Sequence, residues 1–248
     1  MTKSNALAEI PVAILAGGLG TRLRPSIGER PKVVAEVNGR PFLAYLLDQV
    51  ARFGFLDVVL CVGWQADAVE AALGARHGPL RLRYSREPAP LGTGGALRLA
   101  LPLLEGPAAM VMNGDSYCDA DLAAAWAWHR EKRSSATLVL VEMADTSRYG
   151  RVELNESDSS GSICRFLEKQ QGSTPGWINA GIYLLDRSRI ESIAADRALS
   201  FERDVLPGWV GEGLMGYRAE ARFIDIGTPQ SYSAASRFFE VHARGKIE

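Results

Sequence analysis

The sequence is poor in the features that mark specialised protein classes. It has only three cysteines, Cys61, Cys118 and Cys164, an odd number set far apart. That spacing excludes a disulfide framework and a zinc-ligand pattern, and it fits reduced thiols in a cytosol. Three scattered histidines, His77, His129 and His242, give neither a His-rich metal site nor a Ser-His-Asp spacing. The formal net charge is −1, so no bulk field draws the chain to nucleic acid or to an anionic membrane. No apolar run approaches the ~20 residues that span a bilayer. The N-terminal MTKSNALAEIPVAILAGG lacks a signal-peptide core and cleavage site, because its apolar part runs straight into glycines. A cytoplasmic protein is expected. Internal repeats and low-complexity tracts are missing, as are the hexapeptide repeats of a C-terminal β-helix.

What remains is ordinary in bulk and specific in one place. The 248 residues suffice for one large α/β domain or two small ones, and 47% apolar content can fill a core. The specific stretch is Leu15 to Lys32, LAGGLGTRLRPSIGERPK, which follows a buried-strand pattern at Pro11 to Ala16. Gly17, Gly18 and Gly20 let backbone approach a ligand and present successive N–H groups to an anion. Arg22 and Lys32 place two fixed cations on the same loop. A strand leading into a glycine-rich cationic loop suggests a nucleoside triphosphate site. Two commoner motifs fit poorly: Leu23 stands where a dinucleotide fingerprint needs its third small residue, and no P-loop pattern occurs.

Along the chain, helical spacing at Pro41 to Gly54 precedes a strand at Asp57 to Val62. A helix at Gln65 to Leu73 and a strand at Leu80 to Tyr84 follow. This alternation predicts an α/β, Rossmann-like fold: a mixed, mostly parallel sheet with helices on both faces. Ligands in such folds bind at the carboxyl ends of strands. Ser85 to Gly95 is a second irregular loop, either a plain connection or a binding loop, with Thr93 placed to cap a helix at Ala96 to Leu101. A strand at Ala108 to Met112 leads into Asn113-Gly114-Asp115, which is a turn or a carboxylate poised at a strand end. Asp119 and Asp121 suit the start of a helix at Leu122 to Arg133. Ala136 to Val141 reads as another buried strand. From about 140 to 185 the pattern becomes antiparallel, with strands at Arg151 to Leu154, Ile163 to Leu167 and Trp177 to Leu185 and a hairpin tip at Ser157 to Ser162. Helices are predicted at Arg187 to Ala195, Ser200 to Val210 and Gln230 to Val241, and short strands at Leu214 to Tyr217 and Arg222 to Ile226. Asp225 lies between two isoleucines, where a carboxylate needs a cationic partner.

The motifs GGLGTRLRP and RPK, then PLGTGGAL, NGDSY, RYG, LEK, INAGIYLL and FIDIGTP, resemble in their order the blocks of the sugar-1-phosphate nucleotidylyltransferases. The resemblance runs from about Val12 to Tyr232. PLGTGG, RYG and FIDIG-P are similar to the D-glycero-α-D-manno-heptose 1-phosphate guanylyltransferase subgroup. The resemblance implies one nucleotidyltransferase domain over 1–248 with the antiparallel insertion on the sugar side. It assigns Gly17, Gly18, Gly20 and Thr21 to base and phosphates, Gly92 and Thr93 to the base pocket, and Asp115 and Asp225 to Mg²⁺. Gly150, Glu168 and Asn179 would line the sugar, and Lys169 would hold its phosphate. Leu15 and Ala16, just before the first block, and Asn113, in NGDSY, join the substrate-binding set. Without the resemblance, Lys169 is a solvated lysine and Asn179 a structural amide.

The chemistry that follows is nucleotidyl transfer. A sugar 1-phosphate is already an anionic nucleophile, so catalysis needs positioning and charge neutralisation, by Arg22, Lys32 and Lys169, and no general base. In the base loop, Glu87 offers an acceptor. Guanine presents N1–H and N2–H₂ side by side, whereas uracil and thymine present one N–H between two carbonyls, so Glu87 favours GTP. Val33-Val34 depart from the Pro-Met or Pro-Leu that follow this lysine in many relatives, which bears on the rigidity of the loop. Alternatives within the class are mannose 1-phosphate with GTP, or a UTP- or dTTP-dependent enzyme. Outside it stands a catalytically silent nucleotide-sugar sensor. Oligomeric state is open.

Overall fold

The computed structural model describes residues 7–155, 160–168 and 174–244, with the backbone alone at 168 and 241–244. The first half alternates as the sequence predicts. In order come β1 (Val12–Leu15), α1 (Arg24–Ile27), β2 (Glu36–Val37), β3 (Arg40–Pro41), α2 (Phe42–Arg52), β4 (Asp57–Val62), α3 (Ala66–Leu73), β5 (Arg76–His77), β6 (Leu80–Arg86), α4 (Gly92–Ala100), β7 (Ala108–Asn113) and β8 (Ser116–Cys118). The second half holds α5 (Leu122–Glu131), β9 (Ala136–Met143), β10 (Gly150–Leu154), β11 (Ile163–Glu168), β12 (Gly176–Asp186), α6 (Arg187–Glu191), β13 (Leu214–Arg218), β14 (Phe223–Asp225) and α7 (Pro229–Arg244).

Among the described residues one ten-stranded mixed sheet dominates, ordered β11-β10-β12-β7-β1-β4-β6-β5, with β9 and β13 joined through β12. Its core is parallel: β1 pairs with β4 at Val12↔Val58 and with β7 at Val12↔Met110, and β4 pairs with β6. All four residues of β1 are buried, as expected of a strand covered on both faces. Alternate side chains therefore enter two separate cores. Val12, Ile14, Leu60 and Met112 pack with Phe42 and Leu46 of α2, Trp126 of α5 and Phe239 of α7. Ala13, Leu15, Cys61 and Val111 pack with Leu97 of α4, Ile190 of α6 and Phe201. Fully buried leucines such as Leu46, Leu47 and Leu97 contribute about 1.5–3 kcal/mol each. Gln49 is a polar residue in the first core, and its Nε2 donates to Cys118 O at 2.7 Å and Ala120 O at 3.3 Å.

Beyond β7 the pairing turns antiparallel, through β12 with β7, β9 and β10 and β10 with β11, except that β13 lies parallel to β9. The register of β12 shifts between Asn179 and Tyr183, around Gly181 at φ 73°. No helix among the described residues is long and apolar enough to cross a membrane.

Three expectations are corrected. The helix expected at Ala96 begins at Gly92, so Thr93 lies in its first turn and its hydroxyl does not cap it. The helix expected over Ser200 to Val210 is a wide π-type turn at Phe201–Val205 followed by a 3₁₀ turn at Leu206–Trp209. Pro207 limits it by removing one N–H and constraining the residue before it. The helix from Arg187 stops at Glu191, and Asp196 at φ 56° turns the chain away. The hairpin tip expected at Ser157 to Ser162 falls partly outside the described residues.

Candidate active site

The carboxyl ends of β1, β4, β6 and β7 open into one cleft of about 1200 Å³. From the first two strands come Leu15, Ala16, Gly17, Gly18 and Arg22, then Gly63 and Trp64. Gly17 is glycine for a physical reason. A Cβ there would overlap Glu87 Oε1 and stand 3.1 Å from Gly63 N, so only bare backbone fits between the two loops. Gly20 and Thr21 lie outside the lining. Gly20, at φ 60°, closes the loop onto Lys32, whose Cβ would be 3.1 Å from an added Cβ. Arg24 stacks on Trp64 at the rim, 4.8 Å from the ring centroid.

Glu87 follows β6 and lines the same end of the cleft. Its Oε2 accepts from Leu91 N at 2.8 Å. Burial pushes its carboxyl above the ordinary range, opposed by that N–H. Gly92 and Thr93 continue this wall. The Thr93 hydroxyl accepts from Phe201 N at 2.7 Å and donates to Glu202 Oε2 at 2.9 Å.

On the other side are Asn113 and Asp115 at the end of β7, Gly150 of β10, Asn179 of β12 and Asp225 of β14. Lys32 Nζ forms an ion pair with Asp115 Oδ2. Asp225 has the partner that its apolar flanks demand: Arg148 Nη2 reaches both carboxylate oxygens at 2.9 Å. Tyr149 Oη donates at 2.8 Å and Gly227 N at 2.7 Å. Burial and the adjacent Asp225 push the Tyr149 phenol well above its ordinary range, so it stays a donor. The two carboxylates are brought together by pairing of β8 with β14, at Asp225↔Ser116, and by the Ile226 N bond to Asp115 O at 2.9 Å. Glu168 pairs through its backbone with Gly150. Lys169 lies outside the described residues.

Several lining residues went unmarked by sequence reasoning. Arg148 and Tyr149 stood inside the RYG motif, and the buried carboxylate of Asp225 was a usable signal for a basic neighbour. Trp64 stands two residues past a buried strand and was open to the rule of strand carboxyl ends. Gly181 carried the glycine of INAGIYLL. Ser200, Glu202 and Arg203 carried no signal for the cleft.

The comparisons with known proteins agree on kinship. The nucleotidyl transferase family model matches residues 12–241. The chain is 35% identical over 235 residues to a mannose-1-phosphate guanylyltransferase of Mycobacterium tuberculosis, covering 93% of this chain and 65% of that protein, so it spans less than two thirds of that relative's length. It is 33% identical over 225 residues to the D-glycero-alpha-D-manno-heptose 1-phosphate guanylyltransferase of Aneurinibacillus thermoaerophilus, covering 90% and 96% of the two chains. The crystal structure of HddC from Yersinia pseudotuberculosis complexed with GMP-PN superposes with a TM-score of 0.81 at 32% identity, covering 93% of this chain and 99% of that one. With this α/β architecture and a family match over nearly its whole length, the chain belongs to the nucleotidyl transferase family.

Proposed function

We propose that this chain is an enzyme that transfers a guanylyl group from GTP to a sugar 1-phosphate, with D-glycero-α-D-manno-heptose 1-phosphate the favoured acceptor. One observation carries the reaction class: a bare glycine loop, two cations and two carboxylates meet at the carboxyl ends of the parallel strands in a single cleft. An oxygen of the sugar 1-phosphate attacks the α-phosphorus. The bond to the bridging oxygen breaks and pyrophosphate leaves with that electron pair. Repulsion between two anions is the main barrier, and Arg22 and Lys32 offset it on the triphosphate side. Lys169 is assigned to the incoming phosphate from its motif alone.

The donor set fits Mg²⁺. Asp115 and Asp225 supply hard oxygen ligands from neighbouring strands, and the described residues hold no cluster of three or more His, Cys, Asp or Glu that would form an all-protein cage. That suits an ion that takes one or two carboxylates and fills its shell with water and phosphate oxygens. When bound, Mg²⁺ neutralises charge on the phosphates. Asp115 and Asp225 would hold the ion, and Lys32, paired with Asp115 in this structure, would contact the triphosphate.

For the base, Glu87 keeps acceptor capacity beyond its single bond from Leu91 N, and guanine N1–H and N2–H₂ match it. Coverage of nearly the whole heptose 1-phosphate relative supports the heptose acceptor. Mannose 1-phosphate stands second, supported by the mycobacterial relative. The test is pyrophosphate release with Mg²⁺, each of GTP, ATP, UTP, CTP and dTTP, and a panel of sugar 1-phosphates. Release confined to GTP with the manno-heptose is expected. Release with another pair overturns the substrate, and no release from any pair overturns the enzyme assignment. In Glu87→Gln, an unchanged preference for GTP over UTP in kcat/KM would remove Glu87 from the base site.

A further inference from the structure

Trp64 lines the cleft, and the mechanism above does not use it. It stands on the segment that leaves β4. In the sheet β4 lies between β1 and β6, about 4.8 Å from each, so its loop fills the gap between the glycine loop and Glu87. A nucleotide whose phosphates meet Arg22 and Lys32 on the β1 side, and whose base meets Glu87 after β6, must cross the end of β4. There it finds Gly63 and Trp64. Gly63 touches both flanking loops: a Cβ on it would stand 3.2 Å from Glu87 Oε1 and 3.3 Å from Gly17 O. Trp64 is the next residue, and it is partly exposed.

A purine needs more than partners for its edge. Glu87 accepts from donors in the plane of the base and leaves the two faces to be covered, for which an aromatic plane is suited. Three aromatic residues line the cleft, Trp64, Tyr149 and Phe223. Tyr149 and Phe223 pack on each other with ring centroids 5.4 Å apart, and Tyr149 donates to Asp225, so that pair belongs to the Asp225 end. Trp64 is the aromatic lining residue at the Glu87 end.

Its ring is held before any ligand arrives. Arg24 Cζ lies over one face, 4.8 Å from the centroid, and Arg24 does not itself line the cleft. Arg24 Nε is buried and has no hydrogen-bond partner among the described residues, so the guanidinium serves as a flat cationic group against the indole. What Trp64 presents to the cleft is therefore the remaining face and edge of its ring. A ring already ordered by such a contact loses less freedom when a ligand binds.

We propose that the Trp64 indole stacks on the purine ring of the bound nucleotide and, with Glu87 reading the edge, sets the preference for guanine over the pyrimidines. This rests on the nucleotide half of the functional reading given above.

The experiment follows tryptophan fluorescence and steady-state pyrophosphate release in wild type, Trp64→Phe, Trp64→Leu and Trp128→Phe, each checked by thermal unfolding. A purine stacked on an indole quenches its emission, and the other tryptophans, Trp126, Trp128, Trp177 and Trp209, do not line the cleft. GTP is expected to quench wild type and Trp128→Phe equally and to leave the emission of Trp64→Phe unchanged, while calorimetry shows that Trp64→Phe still binds it. In turnover, Trp64→Leu raises KM for GTP about tenfold, within the range for loss of one base–aromatic stack, with kcat and the KM for the sugar 1-phosphate close to wild type. Trp64→Phe regains most of that loss, because it restores a ring. A merely structural role would not confine the effect to the nucleotide or yield to rescue by a second aromatic. The preference for GTP over UTP in kcat/KM falls in Trp64→Leu, since a pyrimidine has less ring to cover. A quench that persists in Trp64→Phe overturns the proposal, as does a KM for GTP in Trp64→Leu equal to wild type or a loss that Trp64→Phe does not reduce. If GTP binds and quenches wild type through Trp64 but no pair releases pyrophosphate, the enzymatic reading fails and the stacking stands. If wild type binds no nucleotide, both fail.

Discussion

Replacing Gly92 with alanine strikes a contact on which both walls of the cleft depend. Gly92 opens α4 at φ 69°, a region that costs an L-residue about 1–2 kcal/mol. A Cβ there would stand 2.5 Å from Leu199 O and 2.9 Å from Leu199 C. Both are backbone atoms, so no side-chain rotation relieves the overlap. The displacement needed to reach ordinary contact is roughly 1 Å on the Cβ-contact scale. It pulls on two bonds, Gly94 N to Leu199 O and Leu199 N to Leu91 O, each 2.8 Å and each worth about 1 kcal/mol net. The expected loss is about 2–4 kcal/mol, or a fall in Tm of about 5–15 °C for a chain of this size. Gly39 supplies the control, because it has nearly the same φ, 73°, and nothing within 4 Å of an added Cβ. Gly39→Ala therefore carries the conformational cost alone. Scanning calorimetry of the two variants isolates the overlap. A kcat/KM loss is expected only in Gly92→Ala, because Thr93 and Glu202 sit on the two segments pushed apart. Equal falls in Tm for the two variants would refute the docking of this segment on α4.

Three further outcomes are expected. Lys32→Ala and Arg22→Ala should each lower kcat/KM for GTP by about 10–100-fold, the worth of a charged hydrogen bond to phosphate; near wild-type values would remove them from the phosphate site. Glu87 should leave a signature in stability against pH. Burial raises its folded pKa, so the native state holds that proton more tightly than the unfolded chain, and the group's contribution is present at low pH and lost as pH rises through the folded pKa. Relative to wild type, Glu87→Gln should therefore gain in urea midpoint at pH 7.5 and lose that gain near pH 4, whereas a constant offset would contradict the burial. Gln49→Ala leaves Cys118 O and Ala120 O without their buried donor. It should cost about 2–3 kcal/mol, read as a urea midpoint shift, and an effect below about 0.5 kcal/mol would mean that those carbonyls find other partners.

The parallel core was legible because its signals are local. Asp57–Val62 is a run of buried β-formers bounded by charge and glycine, and the strand has those ends. Phe42, Leu46 and Val50 repeat at helical spacing, and all three are buried in α2. Asp121 was expected at a helix start, and its side chain accepts from Ala124 N at 2.9 Å. Elements shaped by distant contacts were misjudged. Thr93 has the composition of a cap, but its hydroxyl is taken by Phe201 N and Glu202, more than a hundred positions away. Ser200 does accept from Arg203 N, as a cap would, yet the segment widens into a π-type turn because its backbone is also tied to α4 through Leu199 and Phe201.

The same division runs through the site. The expected residues that line the cleft stand just past strand ends: Gly17 after β1, Glu87 after β6, Asp115 after β7. At those positions a short window contains both the element and the exception to it. Asp225 is intermediate. Its apolar flanks announced a need for a cation, and the structure meets that need with Arg148, whose identity only the tertiary pairing could supply. Glu202 is the limiting case. Nothing within its own turn distinguishes it from a solvated glutamate beside an arginine. Its significance lies in four donors drawn from its own turn, α4, β7 and β12. No short window of sequence contains such a group of contacts, because three of the four partners come from other elements.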